Sequence, residues 1–149
     1  MRKTLAWVLP GLTVLLTDRL VKFFLADADT VLIPGVIALR PAANTGMALG
    51  LLQGKTALIA GVSLALAALC LWLIRGIRVT GLGRCGLSMM AGGALGNLWD
   101  RIALGYVQDM FEFLFVDFYI FNAADAGVVM GAVLCGVSLL FRPQDWRKK

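Results

Sequence analysis

Four long apolar runs divide this chain, and they leave few ways for it to fold. They cover roughly Leu5 to Leu25, Thr56 to Ile74, Leu82 to Leu104 and Ile120 to Phe141. A helix needs about 20 predominantly apolar residues to cross a bilayer, so each run is read as a transmembrane span. A hydrophobic content of 60% and a mean hydropathy of +0.84 lie outside the range of soluble domains. Four spans and two modest loops use up the 149 residues, so 1–149 is expected to form a single integral membrane domain.

Charge sets the orientation. Arg2 and Lys3 precede the first span. Arg75, Arg78 and Arg84 lie between the second and third, and Arg142, Arg147, Lys148 and Lys149 follow the fourth. These are nine of the 14 basic residues, and the positive-inside rule makes their side cytoplasmic, with both termini there. Segments 26–55 and 105–119 then face out. Ala26-Asp27-Ala28 resembles a signal-peptide cleavage site, but Asp18, Arg19 and Lys22 interrupt the apolar stretch before it, which argues against cleavage. In the first outer segment, Val31-Leu32-Ile33 and Val36-Ile37-Ala38-Leu39 flank the turn pair Pro34-Gly35 and predict a small hairpin lying on the membrane. The expected fold class is therefore all-α integral membrane, with four transmembrane helices and a small β-rich segment on the outer face. Gly92 and Gly96, and Gly127 and Gly131, have the small-xxx-small spacing that lets helices approach closely in lipid.

The same topology places eight of the nine acidic residues on or near the outer side, Asp145 being the exception. Charged groups in spans cost at least about 2.5–3.5 kcal/mol each on insertion scales, so they are rarely idle. Asp18 and Lys22 are four apart and read as an interfacial pair anchoring the first helix. Asn97 and Arg101 share a face of the third, where Arg101 is placed to act as counter-ion to carboxylates. Asn122 and Asp125 share a face at the start of the fourth, where Asp125 reads equally as a helix cap or a catalyst.

Elimination narrows the chemistry. The chain has no histidine, which removes Ser-His and Cys-His nucleophiles. Ser63, Ser88 and Ser138, its only serines, all lie in apolar runs. Cys70, Cys85 and Cys135 are far apart, form no CxxC, and read as buried free thiols rather than zinc ligands or disulfides. No metal and no cofactor is expected, and the scattered basic residues argue against nucleic acid. What remains is a pair of carboxylates. Held close, two acids cannot both ionise easily; one keeps a proton while the other activates water.

Four blocks occur in order: Asn44-Thr45-Gly46-Met47-Ala48-Leu49-Gly50, Gly96-Asn97-Leu98-Trp99-Asp100-Arg101, Gly105-Tyr106-Val107-Gln108-Asp109 and Phe121-Asn122-Ala123-Ala124-Asp125. Together with Asp18 and Lys22 they resemble the signature of bacterial lipoprotein signal peptidase, or signal peptidase II, over essentially the whole chain. The resemblance implies an aspartic endopeptidase of the bacterial inner or plasma membrane. Its partners would be membrane lipid and prolipoproteins, cut before a cysteine that carries a diacylglyceryl group. The dyad falls on Asp109 and Asp125. Substrate binding or dyad support falls on Asn44, Asn97, Arg101 and Asn122, and Asp18, Lys22 and Asp100 are structural. Val116-Asp117-Phe118 matches the family's V-D-F literally, but Asp109 stands at the usual distance after the Asn97 block and is preferred. Gln108, Met110 and Ala126 depart from the family pattern around the two acids, and Trp99 and the outer β segment are candidates to close over a substrate. The alternatives are a small polytopic transporter or a structural membrane subunit using the same polar residues. Against a transporter, no chain of ionisable groups crosses the bilayer.

Overall fold

The structure, a computed structural model, describes residues 2–25, 27–47, 51–79 and 81–148. Ala26, the stretch from Ala48 to Gly50 and Lys149 lie outside the described residues, as do the side chains of Arg2, Lys3, Arg78, Arg147 and Lys148. The chain is mostly helical: α1 (Arg2–Leu25), α2 (Thr56–Gly76), α3 (Gly81–Ala103) and α4 (Ala123–Phe141). The strands are β1 (Thr30–Ile33), β2 (Ile37–Asn44), β3 (Ile77–Val79), β4 (Val107–Phe113) and β5 (Trp146–Lys148). Among the described residues two helices, α2 and α4, are long and apolar enough by composition to cross a membrane.

α3 is the hub, packing against α1, α2 and α4. Its buried face is built largely of glycine and alanine, and the reason is distance. A β-carbon added at Gly92 would lie 2.1 Å from the Gly11 carbonyl oxygen, and one at Gly93 would lie 2.4 Å from that of Ala124. Backbones that close leave no room for side chains; in lipid, where apolar contact alone gives no drive to associate, this tight packing holds helices together. α2 and α4 both lie on α3 but scarcely touch each other, which leaves a cleft between them. Around the outside, large apolar side chains face away from the protein: Phe23, Ile102 and Leu140 are 82%, 74% and 78% exposed. Apolar exposure on this scale marks a surface made for contact with membrane or protein.

At the end of the bundle formed by the α2–α3 connection, Cys70, Ile74, Val79, Leu87 and Ala91 form a buried cluster, with Trp7 and Trp146 packed on it. The C-terminal strand β5 pairs antiparallel with β3 there, closing that end.

A three-stranded antiparallel sheet of order β1-β2-β4 covers the other end. The β1–β2 turn follows from Pro34-Gly35. Proline presets φ at the second position, Gly35 takes φ +72° at the third, and the Val36 N–H donates to the Ile33 carbonyl at 3.0 Å. Strand β4 lies within 105–119, a segment that the sequence oriented outward without marking a strand in it. Its burial does not alternate, so it carries no period-two signal. The fourth helix also begins three residues later than expected, because Phe121 still pairs with Phe111 as an extended bridge.

Candidate active site

That bridge builds the site. The Phe111 N–H donates to the Phe121 carbonyl at 2.8 Å, and the Phe121 N–H donates back at 3.0 Å. The pairing fixes the end of the 114–120 loop against β4, so Asn122 arrives beside Asp109. On the other edge of β4, Asn44 stands opposite Val107. Asp109 is two residues further along, on the same face, within diagonal reach of Asn44.

The amides of these asparagines hold the carboxylates. Asn44 Nδ2 donates to Asp109 Oδ2 at 2.9 Å, and Asn122 Nδ2 donates to Asp109 Oδ1 at 2.6 Å. Asn122 Nδ2 also donates to Asn97 Oδ1 at 3.1 Å, and Asn97 Nδ2 donates to Asp125 Oδ1 at 2.7 Å. An unbroken ladder of neutral amides thus links Asp109 to Asp125. Asp109 and Asn122 are buried, at 2% and 0% exposure.

The capping arrangement expected of Asp125 is present here. Asn122 is the N-cap of α4, and its Oδ1 accepts from the Asp125 N–H at 2.9 Å. Asp125 Oδ2 completes the capping box by accepting from the Asn122 N–H at 3.4 Å, while Oδ1 takes the amide of Asn97. One carboxylate caps the helix and faces the cleft.

Arg101 lies within the field of Asp125, Asp109 and Asp100, as a counter-ion would, but its hydrogen bonds go to backbone. Nη2 donates to the Gly46 carbonyl at 3.0 Å and Nη1 to the Asn97 carbonyl at 3.4 Å. Among the described residues it forms no ion pair within 4.0 Å of a carboxylate. It pins the segment after Asn44, whose own Oδ1 accepts from the Gly46 N–H at 2.9 Å. The reason is reach: the guanidinium satisfies nearby backbone carbonyls, and the carboxylates are already taken by amides.

Burial, and next the charge on Asp125, push the Asp109 carboxyl up from 3.8 to about 6, against the hydrogen bonds from Asn44 and Asn122. The Tyr119 phenol is also raised, by burial first and then by the charges of Asp125 and Asp109. Sequence reasoning passed over Tyr119. Its only signal was its place three residues before Asn122.

The polar ladder stands at one end of the cleft between α2 and α4, a cavity of about 260 Å³. Ile59, Val62, Ser63 and Leu66 of α2 face Val128 and Val129 of α4 across it, with Asn97 and Arg101 from α3 and Asn44, Tyr119 and Asp125 at its polar end. The site therefore presents Asp125 at the head of an apolar trough, with Asp109 buried behind it and linked to it by amides. That arrangement suits water-mediated cleavage of an amide in a substrate that is itself largely apolar.

The remaining sequence candidates fall elsewhere. Asp18, Lys22 and Asp100 are 0%, 4% and 1% exposed and form one ion cluster with Arg19. Asp18 and Lys22 do pair, four residues apart near the end of α1, but inside the bundle and together with Asp100 and Arg19; the opposite charges offset part of each other's cost of burial. Asp117 is exposed on the 114–120 loop. Glu112 is half-buried and pairs with Arg40 at 3.4 Å. Trp99 is exposed on α3. The backbone N–H of Gln108 donates to Asp100 Oδ2 at 3.3 Å. Among the described residues no three Cys, Asp or Glu side chains are grouped as metal ligands would be.

The family model described as Signal peptidase (SPase) II matches residues 11–141. The lipoprotein signal peptidase of Lactobacillus johnsonii is 32% identical over 146 residues, covering 93% of this chain and 94% of the relative. That of Clostridioides difficile is 38% identical over 118 residues, covering 78% and 80%. A bacterial membrane enzyme solved by the in meso method at 2.3 Å resolution superposes with a TM-score of 0.84 at 25% identity, covering 97% of this chain and 93% of that one.

Proposed function

The chain belongs to the signal peptidase II family, and from that premise we propose that it removes signal peptides from prolipoproteins by an aspartyl dyad of Asp109 and Asp125. Each substrate is cut before a cysteine that bears a diacylglyceryl group. The observation that carries the residue assignment is the amide ladder from Asp109 through Asn122 and Asn97 to Asp125, at the head of the α2–α4 cleft.

All four helices cross the membrane in this reading. α2 and α4 do so on composition alone. α1 and α3 carry acidic residues only in their last two turns, Asp18 in one and Asp100 in the other. Those ends lie beside the start of α4, where Asp125 stands. The basic residues Arg75, Arg84 and Arg142 mark the opposite ends of α2, α3 and α4. Both termini are cytoplasmic, and the dyad lies near the outer face.

The chemistry follows from the asymmetry of a coupled pair. Of two acids that feel each other's charge, one is ionised while the other keeps a proton. The ionised carboxylate takes a proton from water, and the resulting hydroxide oxygen attacks the scissile carbonyl carbon. The protonated acid hydrogen-bonds the carbonyl oxygen as negative charge develops there. The proton taken from water then passes to the leaving nitrogen as the C–N bond breaks. The pair titrates as a unit, so the roles of base and acid belong to the dyad. Asn44, Asn97 and Asn122 hold both acids with neutral donors and leave that proton free to move. A signal peptide helix matches the apolar walls of the cleft, and the acyl chains of the modified cysteine stay in lipid. Both hold the peptide bond at the depth of the dyad.

The test is cleavage of a lipid-modified precursor peptide by purified protein. Asp109→Asn and Asp125→Asn are each expected to abolish it while the protein stays folded in the membrane fraction. An inactive Asp117→Asn beside an active Asp109→Asn would move the dyad to Asp117. Activity in all three variants would overturn the aspartyl mechanism.

A further inference from the structure

The ion cluster at the end of α1 touches the backbone on both sides of the dyad. Asp18 Oδ1 accepts from the Ala124 N–H at 3.0 Å, and Asp100 Oδ2 accepts from the Gln108 N–H at 3.3 Å. Ala124 immediately precedes Asp125, and Gln108 immediately precedes Asp109. Each proposed catalytic acid is thus anchored, one residue ahead, by a buried carboxylate. The two anchors come from different helices but share one ammonium: Lys22 Nζ lies 3.0 Å from Asp18 and 2.6 Å from Asp100. Arg19 joins the same pair from the more exposed side, with Nη1 2.7 Å from Asp100, and also donates to the Gly96 carbonyl at 3.2 Å.

We infer that Lys22 is a positioning residue for the dyad, clamping Asp18 to Asp100 and so fixing how far apart the backbones of Asp109 and Asp125 are held. The inference rests on the dyad proposed above. Lysine suits the place because a compact ammonium with three donors reaches two carboxylates from one stem. The proposed catalytic acids sit on a strand and on a helix that are also joined through the 114–120 loop, the Phe111–Phe121 bridge and the Asn122–Asp109 hydrogen bond. Without Lys22, among the described residues only the more exposed Arg19 still spans Asp18 and Asp100, and β4 and the start of α4 gain room to shift relative to one another. A displacement of about 1 Å in a reacting group costs on the order of 100-fold in rate.

The experiment uses the full chain in lipid nanodiscs with a lipid-modified precursor peptide, measuring kcat and KM per folded enzyme together with the melting temperature. Lys22→Met keeps the stem and removes the charge. It is expected to lower kcat by roughly 10- to 100-fold with KM within about twofold. The double variant Lys22→Met with Asp18→Asn restores the charge balance and keeps a carbonyl oxygen for the Ala124 N–H. It is expected to regain the melting temperature of the parent while kcat stays at least about tenfold low. Recovery of kcat together with stability would overturn the inference, since charge balance alone would then explain the cluster. So would an unchanged kcat in Lys22→Met, or a loss confined to KM. If Lys22→Met does not fold, the double variant decides. Wild-type kcat in Lys22→Met beside inactive Asp109→Asn and Asp125→Asn removes only the clamp, whereas activity in the two aspartate variants removes the dyad itself.

Discussion

Two pairs of acids, three of the four buried and Asp125 half-buried, stand close together in this fold, and they are held in opposite ways. Asp18 and Asp100 are met by two cations, Lys22 and Arg19. Asp109 and Asp125 are met by neutral amides from Asn44, Asn97 and Asn122. An ion pair commits a carboxylate to its charge and its place. Neutral donors fix its place and leave its proton negotiable. The first pair therefore suits anchoring of the chain, and the second suits the acid–base role proposed for it. Burial alone does not distinguish them, since Asp100 and Asp109 are both almost fully buried.

The widest gap between the pairs is expected in turnover. Asp109→Asn or Asp125→Asn removes a group proposed to exchange the proton, and kcat is expected to fall by about 10³-fold or more, at the upper end of what acid–base groups contribute. Product release from a lipid-modified peptide measures it. An effect below tenfold in both would erase the distinction.

Stability should move the other way. In the folded chain Asp109 holds its proton up to about 6, against 3.8 for the ordinary carboxyl. The native state therefore binds more protons than the unfolded chain between these values, and stability falls as pH rises through that window. Above it the full penalty stands, at most about 3 kcal/mol. Asp109→Asn is expected to melt higher than the parent at pH 7, with the gap closing toward pH 4. Thermal unfolding across that range checks it, and a gap that widens on acidification would contradict it.

Asn122 sharpens the comparison because it serves both acids. Asn122→Ala deletes the α4 cap and one donor to Asp109. A cost of about 1–2 kcal/mol in stability is expected, with a drop in kcat larger than in KM. Loss of stability with full kcat per folded enzyme would reduce it to a cap. The smallest effect is expected at Asp117, an exposed acid outside both pairs. Asp117→Asn should change kcat/KM by less than about twofold, as surface substitutions usually do.

Much of the site was legible because its residues are costly. Asn97, Arg101, Asn122 and Asp125 stand out against apolar runs, and their spacing places them on common helix faces. The β1–β2 turn was legible in Pro34-Gly35 for a similar reason, since few residues accept its third position. The partner of each polar group was not legible. Arg101 gave a charge to match with carboxylates, yet its nearest acceptors are the carbonyls of Gly46 and Asn97. Asp18 and Lys22 gave a helix pair four residues apart, but nothing in that spacing tells of Asp100, 78 residues away from Lys22. β4 gave no alternation to read because neighbours cover it unevenly.

The sequence by itself determined the four apolar helices, the absence of histidine chemistry and the short set of acids left to act. These are properties of residue type and period, which the chain carries before it folds. Only the tertiary structure decided which acids share amides and which share cations. That division depends on a strand pairing at Phe111 and Phe121 and on glycines that let α1, α3 and α4 touch. Contacts of this kind join segments far apart in the chain, and only the close packing of the folded protein brings them within hydrogen-bond reach.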